Sequence, residues 1–580
     1  MTRRSLIAGF TGGALVPLTR GNAQAPSSRP PNVILIMTDD QGWFDLGVHR
    51  NPFIETPNID RLAAAGVRFS HFYASPVCTP TRAGLMTGRH YQRTGAVDTY
   101  MGRDVMNPEE VTIGQVFKKH GYRTACVGKW HLGRYMKYHP NERGFDEYFG
   151  FWQYGFMNRY QDSDEIFDNK ERVEVTGYIT DVLTDRAIRF VEENAQRPFF
   201  LYLPYNAPHA PHDVPDRFIA KYLKKDMPLR EARIYGMIDA IDENAGRLLG
   251  TIDKHALRDD TIVIFMTDNG GVSRHFKAGL RGNKGSVWEG GVRVPFIARW
   301  PGKLPAGAIV NAMAQHIDVL PTLCELTGAP LPDRKLDGKS LASLLRSGRG
   351  ESPHEYLFHQ WNRGHPVLET VPGDPKLKAS WAVRNRSGMK LHMNGELYDL
   401  SRDPAEAINI AGKHPETVAE LRREFEHFFA DVTNGHKYER VPIEVGRPDE
   451  NPVEIDLTWG EPVGKKVLPK YQSYNRDIID NWSETEDYVR WKIDVVRSGS
   501  YEVTLTYGCE PGEESSRLRV QVADASIEHT VQPTAGRTVF EPVVLGRMDL
   551  EAGPAMFEIR PVAIKGKELA LIHKIWMRRV

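Results

Sequence analysis

Cysteine is scarce in this chain: Cys78, Cys126, Cys324 and Cys509 are the only four among 580 residues. Four thiols are too few to staple a protein of this size, which excludes a disulfide framework. Net charge is missing as well, because 75 basic and 75 acidic residues cancel. A chain without a charge surplus is not built to hold nucleic acid or an anionic bilayer over a broad surface. Any anionic ligand has to be met by positive charge concentrated locally. Long apolar runs are lacking too. Leu6–Leu18 comes nearest, but it is shorter than the roughly 20 residues of a bilayer span and is interrupted by three glycines. No stable membrane span is expected. Internal repeats and low-complexity tracts are absent, so the chain reads as ordinary globular sequence.

What is present is 41% hydrophobic and 26% charged residues, a soluble composition, at a length that implies two to four domains. Arg3-Arg4, the weakly apolar stretch and the small-residue site Asn22-Ala-Gln-Ala25 have the layout of an export signal over residues 1–25. It is of the twin-arginine kind, so a periplasmic or secreted location is expected. The apolar run Asn32–Met37 has the pattern of a strand buried on both faces. Helical stretches (Ile113–His120, Asp181–Glu193, Glu231–Leu249) then alternate with strand-like ones (Arg123–Val127, Phe199–Tyr205, Thr261–Thr267). That alternation argues an α/β domain with a largely parallel sheet. Sites in such sheets collect beyond the carboxyl ends of the strands, where Asp39, Asp40, Lys129, His209, Asp268 and Asn269 fall.

From Trp381 the pattern changes to short strands (Trp381–Val383, Lys390–His392, Glu396–Leu400) and an amphipathic helix, Pro415–Phe429. Pro442 to about Lys470 reads as a bridge. Beyond it Val489, Trp491, Ile493 and Val495 alternate with polar residues, as do Tyr501, Val503, Leu505 and Tyr507. This period of two argues a separate β-sandwich. The expected division is a catalytic α/β domain over 30–375, a small α+β subdomain over 376–440 and an accessory sandwich over 441–580.

Cys78-Thr-Pro-Thr-Arg-Ala-Gly-Leu-Met-Thr-Gly88 is the most informative run. A turn-forming Pro and the absence of acids place Cys78 at a helix N-terminus, where free N–H groups and the helix dipole favour an anion or a thiolate. Arg82, one turn on, can reach the same place. The pattern C-x-P-x-R-A-x-L-x-T-G resembles the signature of the type I sulfatases. That resemblance implies an alkaline-phosphatase-like α/β fold and oxidation of Cys78 to formylglycine (3-oxoalanine) by a formylglycine-generating enzyme.

The acid pair Asp39-Asp40 follows one buried strand, and Asp268-Asn269 follows another. Buried acids require a nearby cation, and three carboxylates with one amide oxygen suit Ca²⁺ or Mg²⁺ rather than zinc. With Cys78 these four residues match the sulfatase metal site. Gly128-Lys-Trp-His-Leu-Gly133 resembles the family segment whose Lys and His, here Lys129 and His131, bind sulfate, the Lys also contacting the nucleophile. His209, in Ala207-Pro-His-Ala-Pro211, matches the histidine that protonates the leaving oxygen, and Lys284 the second sulfate-binding lysine. Arg82 and Asp39 would position the nucleophile. His212 is open between a pocket and a surface role, and Arg281 and Arg293 read as structural.

A sulfate ester presents sulfur behind negative oxygens, so its cleavage needs a strong nucleophile and neutralised charge. In the implied mechanism one hydroxyl of the formylglycine hydrate attacks sulfur, and the other is later deprotonated to expel sulfate. The expected substrate is a sulfated carbohydrate or aryl sulfate. Aromatics in Phe145–Tyr160, half of them core, and the loop Gln360–Pro375 are expected to shape the pocket. Two rivals stand beside this reading: a phosphonate monoester or phosphodiester hydrolase of the same superfamily, and a non-catalytic glycan-binding protein.

Overall fold

The computed structural model describes residues 29–362, 380–435, 440–470 and 477–580. The expected export signal, and the expected pocket loop beyond residue 362, lie outside the described residues.

A ten-stranded sheet organises the α/β unit. Its central strand, Asn32–Thr38, is buried along its whole length and lies parallel to Phe199–Pro204 on one side and Thr261–Thr267 on the other. Arg123–Val127 and Glu147–Gly150 extend the parallel part, and short antiparallel strands finish that edge. Phe296–Arg299, Val67–Tyr73 and Ala308–Gln315 form the other edge. Ile34 and Ile36 face one core with helices Pro57–Ala64, Ile179–Glu193, Asp216–Leu223 and Leu229–Lys254. Val33, Leu35 and Met37 face a second core with helices Cys78–Thr87, Ile113–Lys119 and Val319–Thr327. A sheet covered on both faces explains why its strands read as unbroken apolar runs. The long helix exceeds the expected Glu231–Leu249: Pro228 sets its start and it runs on to Lys254.

A four-stranded antiparallel sheet follows, covered by helix Pro415–Thr433, with Trp381 stacked on Phe425 at 4.1 Å. Its edge strand, Tyr356–Gln360, comes from ahead of residue 375. At the junction with the α/β unit, Lys390 is fully buried between Glu289 and Glu406, 3.0 Å from each. His392 also meets Glu406, at 2.8 Å. Replacing Lys390 with Met leaves two buried carboxylates facing each other without a cation. A loss of about 3–5 kcal/mol is expected, read as a shift of the chemical denaturation midpoint, and an unshifted midpoint would refute it.

The C-terminal residues form two packed, mainly antiparallel sheets, with long strands at Tyr488–Val495, Gly499–Gly508, Glu541–Leu550, Gly553–Ala563 and Leu571–Arg579. The stretch read as a bridge is part of this sandwich. It supplies Ile443–Val445, Val453–Glu454, Glu461–Val463 and Leu468–Lys470, strands of two or three residues, too short to show alternation. Their core is shared: Val105, Tyr135 and Tyr138 of the α/β unit pack with Val453, Ile455, Leu457 and Trp459. Among the described residues no helix is long and apolar enough to cross a membrane.

Candidate active site

Strand register builds the centre of the site. Thr38 pairs with Thr267 across two parallel strands, so Asp39-Asp40 and Asp268-Asn269 leave the sheet side by side. Asp40 takes a left-handed backbone (φ 72°), its N–H donates to Asp268 Oδ1 at 3.2 Å and its Oδ1 accepts from Asn269 Nδ2 at 2.9 Å. Cys78 is the first residue of a helix whose ten residues are all buried, and its Sγ–H points to Asp39 Oδ1 at 3.5 Å. Ligand atoms of Asp39, Asp40, Cys78 and His209 all lie within 4.8 Å of one another. Asp268 lies beside them, accepting from Arg82 Nη2 at 2.8 Å and Nε at 3.1 Å.

Three cations face these three carboxylates. Lys129 contacts Asp39, Lys284 is 2.6 Å from Asp40 Oδ1, and Arg82 bridges Asp268 and Asp39. Lys129 reaches in from a loop locked to the sheet: its N–H donates to Pro204 O at 2.8 Å, and Gly128 N–H to Phe149 O at 2.8 Å. Only glycine fits at 128, where φ is 131° and a Cβ would meet Pro204 O at 2.0 Å. Burial opposes the Asp39 charge, but Lys129, His209, Arg82 and Lys284 together hold the carboxyl well below its usual range. Asp268, buried beside the Asp39 charge, is pushed up to about 7 despite Arg82.

Cys78 differs from the expectation. Burial, followed by the Asp39 charge, pushes the thiol up to about 12. The helix N-terminus and the lysines therefore do not yield a thiolate, because the desolvated sulfur faces a carboxylate.

Both histidines sit at the rim of this cluster. His131 Nε2 lies 2.9 Å from Thr99 O and must donate to it, while its buried Nδ1 has no partner among the described residues. Burial and then Lys129 hold the ring well below the usual histidine range, so it is neutral. Gly155 backs it, since a Cβ there would sit 2.2 Å from Cε1. His209 donates from Nδ1 to Ala210 O at 2.7 Å and turns Nε2 toward Asp40 Oδ2 at 3.8 Å. Burial and Lys284 lower its pKa.

These groups open into a pocket of about 240 Å³ whose lining includes Cys78, His131, His209 and Lys284. Of the aromatics in 145–160, Tyr154 and Phe156 line it, whereas Phe149, Phe151 and Trp152 belong to the core. His212 is not among the lining residues. Arg281 ties the Lys284 loop to Glu406 O at 3.2 Å and lies over Trp288, and Arg293 donates to Ser70 O, in keeping with structural roles. Sequence reasoning missed Thr99, Asp104, Arg134 and the sandwich residues Asp456, Thr458, Trp459 and Asp477 in the lining. None of them belongs to a motif, and the core shared with the α/β unit brings the sandwich residues here.

The Sulfatase family model matches residues 31–329, and that of the C-terminal part of N-sulphoglucosamine sulphohydrolase matches 282–432. The N-acetylgalactosamine-6-sulfatase of Canis lupus familiaris is 31% identical over 516 residues, covering 78% of this chain and 95% of that protein. Arylsulfatase A of Homo sapiens is 33% identical over 470 residues, covering 70% and 89%. Among solved structures, Ps i-CgsB in complex with k-i-k-neocarrahexaose matches with a TM-score of 0.64 and 30% identity, covering 71% of this chain and 95% of that one. With the parallel sheet, the Cys78 helix and the paired acidic strand ends, these matches place the chain in the sulfatase family, sulfuric ester hydrolases of the alkaline phosphatase superfamily.

Proposed function

We propose that this chain, once exported, cleaves the sulfate ester of a carbohydrate, using an aldehyde hydrate derived from Cys78 and a divalent cation held by Asp39, Asp40, Asp268 and Asn269. The observation that carries the reading is the position of Cys78 Sγ, 3.5 Å from Asp39 Oδ1 inside a buried cluster of three carboxylates and three cations.

The donor set fits a hard cation. Asn269 Nδ2 has two acceptors, Asp40 Oδ1 and Gly270 O, which fixes the amide orientation. Its Oδ1 is buried with no partner among the described residues, an acceptor facing no donor. Bound there, Ca²⁺ or Mg²⁺ would draw charge from an ester oxygen and acidify a hydroxyl at residue 78. Lys129 and Lys284 would meet the other sulfate oxygens. His131 has its Nε2 proton committed to Thr99 O, so the neutral ring offers a lone pair at Nδ1. That tautomer supports a proton acceptor for the residue-78 hydroxyl better than the sulfate-binding role the resemblance suggested. His209 turns Nε2 toward Asp40 Oδ2 at 3.8 Å and would serve the leaving oxygen from there. As the proton donor it would act as the imidazolium, a form that Asp40 favours and that burial and Lys284 oppose.

A carbohydrate substrate is supported by the aromatic lining of the pocket and by the names of the relatives, one a galactosamine sulfatase and one bound to a neocarrahexaose. The test is sulfate release from 4-nitrophenyl sulfate and a panel of sulfated sugars, beside a phosphonate monoester. Sulfate release should exceed phosphonate cleavage at least 10-fold in kcat/KM, and the reverse order would overturn the reading. Elemental analysis should find one equivalent of Ca²⁺ or Mg²⁺. Its removal by a chelator should abolish turnover and lower stability by about 2–4 kcal/mol, and full activity without metal would refute that part.

A further inference from the structure

The turn that carries His209 is tied down from two sides. On the strand side Tyr205 N–H donates to Met37 O at 2.8 Å and Asp39 N–H to Ala207 O at 3.1 Å, so the turn leaves the sheet beside the acid pair. Behind it stands Tyr160, the last residue of the aromatic stretch 145–160. Its hydroxyl lies 2.7 Å from His209 O and 2.9 Å from Asn206 O, and since a carbonyl can only accept, its one proton serves both. Tyr160 is 1% exposed and belongs to the core that includes helix Ile179–Glu193, where its carbonyl accepts from Ile179 N–H at 2.8 Å. It is not among the residues lining the pocket, so its influence on a substrate passes through the turn.

The two carbonyls fix the ring. His209 Nδ1 donates to Ala210 O at 2.7 Å, which turns Nε2 toward Asp40. The His209–Ala210 peptide is planar, so only the backbone dihedrals of Ala210 separate its oxygen, held by Tyr160, from the oxygen that holds Nδ1. The same hydroxyl holds Asn206 O, to which His209 N–H donates at 3.0 Å. A buried phenol therefore sets the direction of Nε2 from outside the pocket. Proton transfer depends steeply on alignment, and a displacement of about 1 Å can cost about 100-fold in rate.

Building on the sulfatase reading, we propose that Tyr160 is a positioning residue for proton delivery: its hydroxyl aims His209 Nε2 at the leaving oxygen. As the S–O bond breaks, its electron pair goes to the leaving oxygen and the proton passes from Nε2 to that oxygen, leaving His209 neutral. The benefit grows with the basicity of the leaving group. It is large for a sugar hydroxyl and small for 4-nitrophenol, which departs as a stable anion.

The test compares kcat/KM, which reports on S–O cleavage, for 4-nitrophenyl and 4-methoxyphenyl sulfate in the full-length enzyme. Tyr160→Phe removes one oxygen and keeps the ring. It should leave the 4-nitrophenyl ester within about 2-fold of wild type and slow the 4-methoxyphenyl ester about 10-fold. His209→Ala should show the same split at about 100-fold, and adding Tyr160→Phe to it should change neither rate further. Tyr178→Phe, on the ring stacked against Tyr160 at 6.2 Å, deletes a neighbouring buried hydroxyl and should leave the ratio unchanged. Both esters are read on one preparation, so a loss of folded protein cancels in the ratio. Unchanged rates in Tyr160→Phe, an equal loss on both esters, a further loss in the His209→Ala background or the same split in Tyr178→Phe would overturn the proposal. So would a Tyr160→Phe chain without a melting transition, since the hydroxyl would then hold the fold rather than the turn. An unchanged ratio in His209→Ala, or cleavage of sulfated sugars but of neither aryl ester, would overturn it while leaving the sulfatase reading intact. No sulfate release from any ester would overturn both.

Discussion

Cys78→Ala is expected to fold, bind its cation and release no sulfate, with turnover reduced on the order of 10⁴-fold or more. Folding should survive because only one atom is lost from a small buried side chain, a change of about 1 kcal/mol. Activity should not, because the thiol of residue 78, the group the aldehyde hydrate would derive from, sits inside the cluster of acids beside Asp39, Asp40 and His209. The unmodified thiol would itself serve poorly, since burial and Asp39 push it up to about 12. In the native enzyme the tryptic peptide ending at Arg82 should therefore carry oxygen in place of sulfur and two hydrogens fewer, and should react with hydrazides. Cys78→Ser, with a single hydroxyl, should give at most one equivalent of alcohol and no sulfate. A fully active enzyme whose Cys78 remains a thiol would refute the aldehyde-hydrate mechanism.

Removal of residues 441–580 should be more damaging than the loss of an accessory domain. Arg134, 8% exposed in its side chain, would lose Asp456 and Glu454 together. Deletion would also bare the apolar faces of Val105, Tyr135 and Tyr138, and each large apolar side chain returned to water costs about 1.5–3 kcal/mol. Set against the 5–15 kcal/mol that typically holds a domain together, that loss is severe. The shortened chain should be insoluble or lose at least 10-fold of its kcat/KM on 4-nitrophenyl sulfate. A soluble fragment that melts cooperatively and keeps wild-type rates on that ester would show that the sandwich is separable after all.

Much of the site was legible because its residues lie in short contiguous motifs. Cys78 with Arg82, Lys129 with His131, and the paired acids after buried strands carry local signals that survive without knowledge of the fold. The parallel sheet was equally legible, since burial on both faces writes continuous apolar runs at Asn32–Thr38 and Thr261–Thr267. The pocket wall was not. Trp459 and Asp456 sit in a short turn among strands of two or three residues, where neither periodicity nor motif marks them. The thiol's protonation was also out of reach. A helix N-terminus and two lysines argue for a thiolate, and only the burial and the closeness of Asp39 reverse that sign.

The pairing of Thr38 with Thr267 bears on how the molecule comes into being. No local hairpin or single helix holds even half of the catalytic constellation; its members are scattered from Asp39 to Lys284 and meet only when distant strands lie in register. Such long-range pairing is reached late and slowly, because loop closure precedes the contacts that reward it. A one-residue slip between those two strands would bring Asp39 level with Asn269 and point their neighbours to opposite faces. Competence therefore requires both strands to be present and in register, so a fragment that lacks either one also lacks the centre.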